Sequence, residues 1–116
     1  METVERNMLK QKMTEKYPTI SELIMQRRRQ VWIHSIIYYE LNDNVVSDMQ
    51  WAKWANQLVE LQRKYPGLSK SLPHYDIFKD FDPSTGYDLP LRDPGMMAKA
   101  IWLLEYDRKI KEYIDE

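Results

Sequence analysis

Residues 19–67, TISELIMQRRRQVWIHSIIYYELNDNVVSDMQWAKWANQLVELQRKYPG, decide the fold. Two capping boxes punctuate this stretch. In Thr19-Ile20-Ser21-Glu22 the Thr hydroxyl can accept the N3 amide and Glu22 can reach back to the Thr19 amide. Ser47-Asp48-Met49-Gln50 repeats the device in its Ser/Gln form. The first box predicts a helix from Ile20 to about Leu41. Along it Ile20, Ile24, Val31 and Tyr38 form a stripe, with Leu23, His34, Ile37 and Leu41 beside it. Trp32, Ile33 and Ile36 widen that surface until the second half is apolar nearly all round, which predicts several packed neighbours. The second box predicts a helix from Asp48 to about Lys64. Its face carries Trp51, Ala55, Leu58 and Tyr65, flanked by Ala52, Val59 and Gln62. Asn42-Asp43-Asn44 turns the chain between the two, and Tyr65-Pro66-Gly67 stops the second. A short turn between two amphipathic helices makes an antiparallel helical hairpin over residues 19–67.

Working outward, Glu2 to Lys16 is polar with spaced Val4, Met8 and Met13. It reads as a weak helix within residues 1–18, stopped by Tyr17-Pro18. Residues 68–92 lack helical periodicity and carry Pro73, Pro83 and Pro90. His74-Tyr75-Asp76-Ile77-Phe78 and Phe81 make this an aromatic loop packed by its own side chains. It holds a turn at Asp82-Pro83-Ser84-Thr85-Gly86 and a short strand or 3₁₀ turn at Tyr75–Phe78. Asp93-Pro94 combines an N-cap with Pro at N1 and starts a last helix, Pro94 to about Ile114, within residues 93–116. Met96, Ala100, Leu103, Ile110 and Ile114 form its stripe, with Leu104 adjoining. The expected architecture is one all-α domain: the hairpin, the C-terminal helix packed across it, and the aromatic loop covering one side.

A chain of 116 residues supports one such core. Seventeen Lys and Arg against 18 Asp and Glu leave a net charge of -1, with no blanket attraction to nucleic acid or anionic membrane. The lack of Cys removes disulfides, a thiolate nucleophile and Cys zinc ligands. Three Gly are too few for a Gly-rich phosphate loop. No apolar run is long enough to span a membrane, and the charged first residues do not read as a secretory signal. The expected location is therefore cytoplasmic. The excess is aromatic, with 4 Trp, 8 Tyr and 2 Phe, which can fill a core or form a stacking surface.

Four constellations could carry chemistry. Arg27-Arg28-Arg29 could contact phosphate. Three consecutive residues spread over about 300° of a helix, however, and the alternative is a solvated face with one Arg paired to a carboxylate. His34 and His74 could ligate a metal only with carboxylate help; His34, mid-helix among apolar residues, reads as a hydrogen-bonded, half-buried side chain. Asp76, Asp80, Asp82 and Asp88 lack the regular spacing of a cation loop and read as solvated acids. Tyr38-Tyr39, followed by Asp48 and Trp51, gather where one helix ends and the next begins. Such a corner can hold a phosphate at the helix N-terminus and a planar ring between aromatics, or simply be core.

These residues also carry a resemblance. Tyr38-Tyr39-Glu40-Leu41-Asn42, Ser47-Asp48-Met49-Gln50-Trp51-Ala52, Gln57-Leu58-Val59-Glu60-Leu61-Gln62 and Tyr65-Pro66-Gly67-Leu68 follow in gapless order. Over Arg29–Leu68 the chain resembles the N-terminal helical domain of bacterial NAD-dependent DNA ligases. The residues after Leu68 look instead like short ligase-related proteins of phages. The resemblance implies that the corner faces the nicotinamide mononucleotide (NMN) half of NAD, with Tyr38, Tyr39, Asp48 and Trp51 as its binding residues. Tyr38 and Asp48 match the family pattern. Trp51 stands for a Tyr, and Tyr39 for a frequent His. Ala52 stands for a second Asp, which removes a carboxamide partner. The ligase nucleophile motif, Lys-x-Asp-Gly, is absent; Lys79-Asp80-Phe81-Asp82 is the nearest string. No catalytic residue and no metal ligand is expected.

Two functional expectations follow. The first is a non-catalytic, phage-type accessory protein that uses the ligase-like scaffold to bind a host or phage protein of replication or antiviral defence. The alternative is a module that binds NMN or NAD. A contiguous patch from Trp32, Trp54 or Trp102 would point to a protein partner or a homodimer. Nucleic acid is the weakest option and needs Arg27, Arg28, Lys53, Arg63 and Lys64 to converge on one face.

Overall fold

A computed structural model describes residues 18–115, except for the side chain of Asp115. The expected Glu2–Lys16 helix lies outside them. Among the described residues there are five helices and no strand: α1 (Ile20–Tyr39), α2 (Asp48–Lys64), α3 (Pro66–Ser71), α4 (Tyr75–Phe78) and α5 (Pro94–Asp115).

The helix starts follow the capping chemistry. Glu22 N–H donates to Thr19 Oγ1 at 3.2 Å, Gln50 N–H to Ser47 Oγ at 3.1 Å, and Met96 N–H to Asp93 Oδ2 at 3.0 Å. Each bond satisfies an amide that a helix N-terminus leaves without an intrahelical partner. Helix α1 ends at Tyr39, two residues before the expected Leu41. Asn42 takes a left-handed conformation (φ 54°), and Asp43 N–H then folds back to Ile37 O at 3.1 Å. Asn tolerates that conformation, so the helix stops as soon as Asn42 can turn the chain.

Helix α1 is the central element. It packs on α2 along one side and on α5 along another. Ile24, Val31, Trp32, Ile36 and Ile37 are buried, each contributing about 1.5–3 kcal/mol relative to exposure. Ala55 and Leu58 meet them from α2; Met96, Ala100 and Leu104 meet them from α5. Helix α5 thus packs on α1 rather than bridging both hairpin helices. Its expected stripe holds only in the first half, because Ile110 and Ile114 are exposed.

The connection over 68–92 differs from expectation. Pro66 begins the new helix α3 instead of only ending α2, as Pro at N1 permits, and Tyr75–Phe78 is a helical turn rather than a strand. His74, at φ 71°, reverses the chain before α4 and sets its ring edge-on to Trp32 at 5.2 Å. Phe78, Leu89 and Leu91 are buried, and Trp32 Nε1 donates to Pro90 O at 2.8 Å. The segment is therefore a wall of the core, as the aromatic content implied.

Arg28 secures that wall. It is fully buried and, among the described residues, pairs with no carboxylate. Its Nε donates to Gln62 Oε1, Nη1 to Leu72 O and Pro73 O, and Nη2 to Ser69 O and Oγ. All five guanidinium N–H donors are used. Burial pushes its pKa down, and the ring of oxygen acceptors offsets the desolvation of the charge. Gln62 in turn donates to Phe78 O at 3.0 Å, tying α2 to α4. The expected carboxylate partner for one Arg is thus replaced by carbonyl oxygens from the α3–α4 segment.

Candidate functional site

The end of α1, the 40–47 turn and the start of α2 form a corner, and the Asp82–Gly86 turn is laid across it. Together they enclose a cleft of about 540 Å³ lined by Tyr38, Tyr39, Asp48 and Trp51, the four residues singled out from sequence. The lining also includes His34 and Ser35 of α1, Ala52 and Asn56 of α2, and Pro83–Gly86.

Each wall has a local cause. Trp51 lies one turn into α2, where its indole N–H donates to Val31 O at 3.2 Å and its ring meets the Phe81 edge at 6.3 Å. It floors the cleft without filling it. Tyr38 and Tyr39 occupy the last turn of α1, are exposed, and pack edge to face at 4.9 Å. Tyr39 extends to Tyr87, with ring centroids 5.4 Å apart, and its hydroxyl is 3.2 Å from Thr85 Oγ1. Tyr39 therefore latches the 82–86 turn to α1. Asp48 sits in the first turn of α2, at the rim, where the helix dipole stabilises a negative charge.

The 82–86 turn is held from within. Asp82 Oδ1 accepts both the Ser84 amide (2.9 Å) and the Ser84 hydroxyl (2.7 Å), and these bonds hold the Asp82 carboxyl below its ordinary pKa. Gly86 is the closest approach. A Cβ there would stand 2.0 Å from Ser35 Oγ and 3.2 Å from the Trp51 ring. The absence of a side chain lets the turn reach α1. Pro83–Gly86 and Asn56 were not singled out from sequence as site residues. The Asp-Pro-Ser-Thr-Gly turn signal was visible, but which helix it would cover was not.

The remaining candidates do not assemble. Arg27 bonds Gln57 and Gln30 beneath Trp54, Arg28 is buried, and Arg63 pairs with Glu60. The five cations required of a nucleic-acid face therefore do not present one free cluster. His34 and His74 sit against different tryptophans, Trp54 and Trp32. His34 is half-buried as expected, but among the described residues its buried Nδ1 has no hydrogen-bond partner, and its ring lies 5.4 Å from the Trp54 ring. Burial lowers its pKa from 6.5, and Asp107 offsets that only in part. Trp32 is core and Trp54 is half-buried, which leaves Trp102 alone of the three exposed. Among the described residues no group of acids and His could hold a metal, and no helix is long and apolar enough to cross a membrane.

No family model and no solved structure matches the chain. Curated relatives do. The DNA ligase of Thermotoga petrophila is 27% identical over 108 residues, covering 84% of this chain and 15% of the ligase. That of Thermotoga neapolitana is 24% identical over 117 residues, covering 91% of the chain and 16% of the ligase. That of Thermoanaerobacter pseudethanolicus is 26% identical over 100 residues, covering 82% and 15%. A match covering 84% of the chain must take in residues beyond Leu68, which the sequence reading left outside the resemblance. The chain spans about 15% of the length of these relatives, and over most of its own length it resembles a segment of DNA ligases, in keeping with their N-terminal helical domain.

Proposed function

We propose that the protein is a non-catalytic ligand-binding module that takes NMN, free or as half of NAD, in the cleft between α1, α2 and the 82–86 turn. The observation that carries this reading is the open cleft itself. Its volume of about 540 Å³ lies in the range of small-molecule sites, and its walls pair aromatic faces with the first turn of a 17-residue helix. In this reading Tyr38 and Trp51 flank the planar ring, and the α2 N-terminus receives the phosphate. Tyr39 serves the turn rather than the ligand. No Lys-x-Asp-Gly string is present, so the chain binds without transferring a nucleotide. The module acts in the cytoplasm of a bacterial cell, as a phage-type accessory protein.

Calorimetric titration with NMN and NAD tests this. The expected result is micromolar binding, weakened about 10-fold by Tyr38→Ala, the effect of losing one stacking face. Tyr38 is exposed, so its removal spares the core. No heat up to millimolar ligand would overturn the reading.

A second reading, a scaffold for a host or phage protein of replication or antiviral defence, is favoured by the exposed aromatic residues of α5. It requires such a protein to copurify with the wild-type chain and to be lost when α5 is altered.

A further inference from the structure

Helix α5 is 22 residues long, about 33 Å, yet no residue after Leu104 is buried among those described. Its second half instead carries Trp102 (64% exposed), Tyr106 (50%), Tyr113 (81%) and Ile114 (73%), together with Ile110. At 100° per residue these fall within an arc of about 120°. The arc adjoins the Met96–Ala100–Leu104 face that packs on α1: Ile114, about five turns on from Met96, lies at the same angle, and the stripe runs outward from there to Trp102. The Trp102 and Tyr106 rings stack on each other at 5.2 Å, nearly parallel at 8°. Arg108 bonds Asp43 at 3.0 Å and links this half of the helix to the turn after α1.

We infer that this stripe is the self-association surface of the protein: two copies pair through α5 in antiparallel fashion about a twofold axis near Asp107. Two observations select a second copy as the occupant. The first is area. The exposed portions of the five side chains amount to roughly 500–600 Å², the upper end of what a monomer displays. Two such faces together reach the roughly 1,000 Å² or more that a specific interface buries. The second is charge. Glu105 and Lys109 line one border of the stripe, both exposed, and neither forms an ion pair among the described residues. In the antiparallel register Trp102 faces Tyr113 of the second copy, and Glu105 faces its Lys109. The symmetry makes each pairing occur twice. The surface is self-complementary, as a twofold contact requires.

The test is sedimentation of the full chain from micromolar to near-millimolar concentration. The wild type is expected to approach twice the mass of the chain. Trp102→Glu should weaken association by at least about 10-fold, as burying a charge in place of an aromatic contact does. Its side chain is exposed, so circular dichroism should stay unchanged. Glu105→Lys alone should weaken the dimer, and Glu105→Lys with Lys109→Glu should restore it, which only the antiparallel register requires. A wild type that stays monomeric throughout overturns the proposal. So does a dimer indifferent to Trp102→Glu, or one that the charge exchange fails to rescue. NMN titration of Trp102→Glu keeps this result separate from the cleft, whose residues it leaves intact.

Discussion

The molecule has two aromatic surfaces of opposite shape. The α1–α2 corner is concave, and its Tyr38, Tyr39 and Trp51 come from two helices and are closed by a turn some forty residues away in the chain. The α5 stripe is convex, and its Trp102, Tyr106 and Tyr113 come from one face of one helix. Similar residue types thus serve different ends. In the corner, ring edges pack on one another and Trp51 spends its N–H on Val31 O, which leaves a cavity of small-molecule size. On α5 the Trp102 and Tyr106 rings stack on each other and stand exposed on a convex surface. Concavity costs tertiary scaffolding. A stripe costs only helical periodicity. The corner should therefore fail when distant contacts are cut, and the stripe should not.

The sharpest way to break this contrast is Arg28→Ala. It leaves the Ser69, Leu72 and Pro73 carbonyls and Gln62 unpaired behind the wall that carries the 82–86 turn. The expected cost is about 3–5 kcal/mol in urea unfolding, with loss of the NMN heat. Arg29→Ala, one residue along and exposed, should cost within about 0.5 kcal/mol. Equal effects would mean that the buried network contributes nothing special.

A smaller effect is expected of Gly86→Ala. The new Cβ meets Ser35 Oγ and Cβ, both fixed on α1, so the turn must move away. Unfolding measurements should show a loss of about 1–3 kcal/mol, with ligand affinity reduced and self-association unchanged. If affinity survives, the turn does not close the cleft.

The smallest effect concerns pH. His34 lines the cleft, and its pKa is lowered by burial. Below about pH 6.5 the unfolded His takes up a proton that the folded one resists, so stability falls as pH drops. Urea midpoints should decrease between about pH 7.5 and 5.5, and His34→Leu should flatten that slope. A slope unaffected by His34→Leu would place the titrating group elsewhere.

Much of this was legible in the residues. Thr19, Ser47 and Asp93 announced three helix starts, and each side chain or hydroxyl accepts the amide that capping chemistry assigns to it. Tyr38, Tyr39, Asp48 and Trp51 were placed in one corner because the length of the turn between two antiparallel helices leaves them nowhere else. The partners of that corner were not legible. Pro83–Gly86 reads as a turn in isolation, and nothing near it in sequence names Ser35 as its neighbour. Arg28 looks like Arg27 and Arg29, and Ile110 and Ile114 continue the spacing of Met96 and Ala100.

The division has a physical reason. Caps, turn residues and helical periodicity act over three or four residues through bonds the backbone itself must satisfy, so a single sequence is enough to read them. Burial is a relation between segments distant in the chain. Arg28 is buried because the Ser69–Pro73 carbonyls lie opposite it, and Gly86 must be glycine because Ser35 does. Among the described residues no α5 side chain beyond Leu104 is buried, because the contacts of α1 with α5 are made along its first half. Only the folded arrangement decides which residues meet, and with it which aromatic surface becomes a cleft and which stays an exposed face.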